Sequence, residues 1–172
     1  MRLLVCAVDA VAALCRSDGP SHLLTLLSPG ESGPLLPADI TPPRRLRLDV
    51  HDVAAPAPGL VAPDAALVAK LLTFAAGWSG DRPFLIHCSV GVSRSPAAAL
   101  AVACQQRPDL EELAVARALR AAAAQATPNP LLVGLADRAL GRDGRLMAAA
   151  RAIGRGAEFT GSASFQMELD AM

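Results

Sequence analysis

A chain of 172 residues, 52% hydrophobic but only 3% aromatic, is long enough for one domain with a sizeable core, built here mainly from Ala and Leu. Lys plus Arg number 16 and Asp plus Glu 16, so no net field favours nucleic acid or an anionic membrane as partner. The cysteines, Cys6, Cys15, Cys88 and Cys104, form no CxxC pair and no metal-ligand spacing, which argues against a zinc site or a disulfide framework and fits a reducing, cytoplasmic setting.

The opening Met1–Val8 has the look of an apolar leader. Asp9 interrupts the apolar run, and Leu14 before Cys15 spoils a lipoprotein-type cleavage site. The segment reads instead as a strand, Leu3 to Cys6, and a short helix, Val8 to Arg16. No apolar run is long enough to span a bilayer. His22 to Leu27 reads as a second strand, closed by Ser28–Pro29–Gly30, and the Pro-, Gly- and Ser-rich stretch 29–43 as a surface loop. Arg45 to His51 alternates with period two, Leu46, Leu48 and Val50 against Arg45, Arg47, Asp49 and His51, as a half-buried strand does. Asp52 falls just past its end. Asp64 to Trp78 is helical, with Asp64 as its cap and Leu67, Leu71, Phe74 and Trp78 on one face; Trp78 is a core residue.

Phe84 to His87 does not alternate, which indicates a strand buried on both faces. It runs into Cys88–Ser89–Val90–Gly91–Val92–Ser93–Arg94–Ser95–Pro96 and then an Ala-rich helix to about Gln105. Pro96 suits a first helical turn, where its missing N–H costs nothing. Residues 88–94 are therefore a strand-to-helix loop at the C-terminal edge of a parallel sheet, where open α/β sheets bind ligands. Unpaired amides of Ser89, Val90, Gly91, Val92 and Ser93 can cradle an oxyanion at the helix N-terminus, and Gly91 permits the turn that points them inward. Arg94 closes the ring with a planar fork that grips two oxygens. A positive field of this kind favours the thiolate form of a cysteine, which makes Cys88 an in-line nucleophile toward bound phosphate. Ser95 can donate a hydrogen bond to the sulfur when it leaves.

Asp109 to Glu112 open a further helix running to about Ala126, and Thr127–Pro128–Asn129–Pro130 break the chain before a helix from Leu131 to Leu140. Gly141 to Ile153 is a last helical piece whose Arg142, Arg145 and Arg151, with Arg155 beyond, read as a solvated face. Residues 1–155 form a single domain and 156–172 a tail. In the tail, Phe165, Met167 and Leu169 alternate, which suits either an added edge strand or a segment packed on the body.

The run His87-Cys88-x-x-Gly91-x-x-Arg94-Ser95 resembles the signature of the cysteine-based protein tyrosine phosphatases, in particular their dual-specificity branch. The resemblance covers roughly Ser21 to Leu140. It implies an α/β fold with a central, largely parallel sheet of four or five strands and helices on both faces. It also implies hydrolysis of a phosphomonoester through a cysteinyl phosphate, with no metal or cofactor. The substrate would be a phosphorylated protein or a small phosphomonoester; the oligomeric state is open. His87 would orient the loop, and Asn129, in a Pro-Asn element like that of the family, would brace it or else cap a helix. The chemistry needs a carboxylic acid beside the phosphate. Asp52 is preferred by position and matches the family's acid loop, with Asp49 the alternative, since Asp52 stands further before Cys88 than is usual for this branch. Neutral side chains at Ser89, Val90, Val92 and Ser93 rank phosphoinositides below phosphotyrosine, phosphoserine and phosphothreonine. Two other readings use the same loop. One is a rhodanese-like sulfurtransferase, the other a phosphate-binding module without catalysis.

Overall fold

The computed structural model describes residues Met1–Met172. Five strands form one sheet: β1 (Arg2–Ala7), β2 (His22–Leu27), β3 (Arg44–Asp49), β4 (Phe84–Cys88) and β5 (Ser164–Glu168), in the order β3-β2-β4-β1-β5. The first four run parallel, and β5 pairs antiparallel with β1 in the register Leu3↔Met167. The tail therefore supplies an edge strand, one of the two placements its alternation allowed. Six helices accompany the sheet: α1 (Val11–Asp18), α2 (Ala65–Ala76), α3 (Arg94–Gln106), α4 (Glu112–Ala122), α5 (Pro130–Ala139) and α6 (Arg145–Ala152). No helix is long and apolar enough to cross a membrane.

Both sheet faces are covered, but unequally. Leu4, Cys6, Leu23 and Leu85 point to a thin layer with Val11 and Cys15 of α1. Leu3, Val5, Leu24, Leu26, Phe84 and Ile86 point to the main core beneath the other five helices. That double burial is why β1, β2 and β4 read as continuous apolar runs and edge strand β3 does not. Helix α3 crosses the middle of this core, with Ala97 to Cys104 all buried. Its alanines let the sheet and α2, α4 and α5 approach closely without voids. Trp78 is a core residue as expected, its ring edge-on to Phe84 and its Nε1 donating to the Arg82 carbonyl at 2.7 Å.

Two expectations are corrected. Helix α4 stops at Ala122 rather than Ala126. Arg142 is not on a solvated face: it is buried, donating to Glu112 Oε1 at 3.2 Å and to the Cys104 carbonyl, while Arg145 reaches the same Glu112 from outside. The physical reason lies in the turn between α5 and α6. Buried Asp137 accepts from the amides of Gly144, Leu146 and Met147, capping α6 from a neighbouring helix. That folds the turn inward and carries Arg142 with it.

Candidate active site

β4 ends at Cys88 and α3 begins at Arg94, so residues 89–93 span from the strand's C-terminal end to a helix N-terminus. The chain around this loop fixes which way its peptides face. Val8 donates to the Ser89 carbonyl at 3.3 Å, Ala163 to Val90 at 3.0 Å, Thr127 to Val92 at 2.8 Å and Asn129 to Ser93 at 3.2 Å. With these carbonyls tied outward, the loop's amides are left for the concave side, the geometry of an anion nest. Gly91 has φ +82, and a Cβ there would stand 2.8 Å from the Ala163 carbonyl and the Ala7 amide, so only glycine fits.

Cys88 Sγ lies at the base of the loop. The Gly91 amide donates to it at 3.2 Å, and Ser95 Oγ is 3.2 Å away. Arg94 is only 5% exposed. Its Nη1 donates to the Val50 carbonyl at 2.8 Å and Nη2 to Ser89 Oγ at 2.8 Å, while Nε is buried with no partner. A buried guanidinium N–H without an acceptor is costly, and a bound oxyanion would satisfy it.

His87 faces the thin side of the sheet, opposite Cys88. Its Nε2 is 2.8 Å from Thr25 Oγ1 on β2, its register partner. Burial lowers its pKa to about 4, offset in part by the Cys88 backbone, so the ring is neutral at pH 7. His87 thus joins the loop's base to β2 as a neutral hydrogen-bonding group.

Asp52 stands exposed beyond β3, and its Oδ1 accepts from Ser93 Oγ at 2.7 Å and from Asn129 Nδ2 at 2.8 Å. Oδ2 makes no hydrogen bond within the protein. Asn129 caps α5, its Oδ1 accepting from the Leu132 amide at 2.9 Å, while its Nδ2 donates to Asp52 and to the Val53 carbonyl rather than to the 88–94 loop, which only its backbone amide meets. Asp49 is paired instead with Arg47 at 2.8 Å and makes no bond to the loop. Val90 is exposed and Val92 half-buried.

Two participants had not been singled out. Glu31 Oε2 accepts from Ser89 Oγ at 2.8 Å and from the Ser28 amide at 3.2 Å. The Ser89 hydroxyl holds its carboxyl below the usual range, with Arg94 adding to the effect. Its place just after the β2 turn, on the sheet edge that carries Cys88, was the available signal. Ala163 had none, because its contribution is a backbone amide.

No family model matches the chain, and no curated protein matches it in sequence. Solved structures do match it. Human DUSP28 superposes with a TM-score of 0.61 at 18% identity, over 81% of this chain and 88% of that one. The Yvh1 phosphatase domain from Chaetomium thermophilum gives 0.61 at 20% identity, over 84% and 93%. PTPMT1 in complex with PI(5)P gives 0.62 at 16% identity, over 81% and 90%. With a parallel sheet, a Cys-to-Arg loop at its C-terminal edge and these neighbours, the chain has the fold of the dual-specificity branch of the cysteine-based phosphatases.

Proposed function

We propose that the chain is a phosphomonoester hydrolase working through a cysteinyl phosphate, of the protein tyrosine or dual-specificity type. The observation that carries this reading is Arg94, whose Nε is buried without a partner beside a loop with its carbonyls tied outward and a cysteine at its base. An oxyanion seated there completes the hydrogen bonding of the site.

In the first step Cys88 sulfur attacks phosphorus as a thiolate. The S–P bond forms as the P–O bond to the leaving group breaks. Loop amides and Arg94 hold the equatorial oxygens. Asp52, steadied by Asn129 and Ser93, gives its proton to the departing oxygen. In the second step Asp52, now a carboxylate, takes a proton from water as that water attacks phosphorus. The thiolate leaves toward Ser95, whose hydroxyl donates to it. Every proton and charge is then back where it began, and the chain's own groups suffice.

The test is turnover of an aryl phosphate beside binding of phosphate or vanadate. Cys88→Ser is expected to lose turnover and keep binding; turnover retained in that variant would remove Cys88 from the chemistry. Asp52→Asn is expected to slow alkyl phosphates far more than activated aryl phosphates. Equal slowing would take the acid role from Asp52.

A further inference from the structure

β1 and β2 flank β4, with β3 beyond β2, and each of these three parallel strands delivers one carboxyl group where it leaves the sheet on the edge that carries the phosphate cradle. Past β1 comes exposed Asp9, next to Val8, whose amide holds the Ser89 carbonyl. Past β2 comes Glu31, on the Ser89 hydroxyl that also receives Arg94 Nη2. Past β3 comes Asp52, on the Ser93 hydroxyl; as the proton donor of the first step it is uncharged when substrate binds, which leaves Glu31 and Asp9 as the charged pair. The cation beside Glu31 is engaged: Arg47 is held by Asp49 and by the Glu31 carbonyl. Arg151 and Arg155 line a separate cleft with Thr127 and Pro128. At the centre, Arg94 Nε awaits an acceptor. The site is therefore a small positive nest inside a negative collar.

Such an arrangement discriminates by what surrounds the phosphate. The phosphate itself is drawn in by the amides and Arg94. Groups next to it on the substrate meet the collar, where further anions are repelled and cations attracted. We propose that the site selects phosphomonoesters carried on a cationic chain: a phosphopeptide with Lys or Arg beside the phosphoresidue, with Glu31 and Asp9 as the selecting charges. This rests on the phosphatase reading above and adds the class of substrate to it. A solvent-exposed charge pair alters affinity about two- to fivefold, so two such carboxylates together give a preference of about tenfold.

The experiment measures kcat/KM for two phosphopeptides identical except for Arg or Glu flanking the phosphoresidue, with a short-chain phosphoinositide as a third substrate. At low salt the Arg peptide is expected to lead the Glu peptide about tenfold, with the phosphoinositide behind both. Raising salt should shrink that lead. Glu31→Gln and Asp9→Asn should each shrink it about two- to fivefold, chiefly through KM. Equal rates on both peptides, a phosphoinositide in first place, or a lead untouched by salt would overturn the proposal. The salt series on the unaltered chain keeps it falsifiable should Glu31→Gln not fold. Turnover of both peptides alike brings down this inference only. If neither the peptides nor an aryl phosphate is turned over, the phosphatase reading falls and takes this one with it.

Discussion

Asn129 couples a helix cap to the acid loop, and the two jobs can be separated by substitution. Asn129→Ser keeps a good capping oxygen for the Leu132 amide but cannot reach Asp52; Asn129→Ala loses both. The cap is worth about 1 kcal/mol. A hydrogen bond to a charged acceptor contributes about 1.5–3 kcal/mol when buried, but Asp52 is exposed and water replaces the lost donor, so about 1 kcal/mol remains for the brace. Serine should then cost about 1 kcal/mol and alanine about 2 kcal/mol, or about 3 and 6 °C in Tm for a domain of this size. The kinetic pattern should differ from the thermal one. Without its tether Asp52 drifts, and a misplacement of about 1 Å costs up to about a hundredfold. Both variants should therefore slow an alkyl phosphate by about 10- to 100-fold and an activated aryl phosphate little. Thermal melts and a leaving-group series on the three proteins decide the matter. If the serine variant hydrolyses alkyl phosphates at the unaltered rate, the tether does no chemical work and Asn129 is a cap alone.

Further outcomes follow from the same contacts. His87, buried and neutral with a pKa of about 4 against 6.5 when free, binds fewer protons folded than unfolded. Its contribution is complete above pH 6.5 and is lost as pH falls toward 4, by about 3 kcal/mol in all. Buried His22, also lowered by burial, acts in the same direction. His87→Asn should flatten part of the acid limb of a Tm-versus-pH curve; an unchanged limb would remove His87 as its source. Ala163→Pro deletes the amide that holds the Val90 carbonyl. A lost hydrogen bond of about 1 kcal/mol predicts phosphate inhibition weakened by about fivefold, and inhibition as tight as in the unaltered chain would show the clamp to be idle.

The parts of the candidate site that sequence could reveal are those that need one particular residue type at a fixed spacing. Cys88, Gly91, Arg94 and Ser95 announce themselves by spacing, and the strand–loop–helix context by the apolar run before them and Pro96 after. Asp52 could be favoured over Asp49 because it follows the strand, and the structure pairs Asp49 with Arg47 instead. What escaped was carried by backbone groups or by distant partners. Ala163 acts through N–H and C=O, which every residue but proline possesses. Arg142 reads as a surface cation until Asp137, on a different helix, is seen to turn the chain inward. Glu31 sits in a Pro- and Gly-rich loop whose path sequence does not specify.

The four amides that hold the loop's carbonyls come from positions 8, 127, 129 and 163, almost the whole span of the polypeptide. The loop's conformation therefore depends on distant regions docking together, and any of them letting go frees one of its carbonyls. Loss of phosphate affinity on warming should accordingly run ahead of the loss of helical signal.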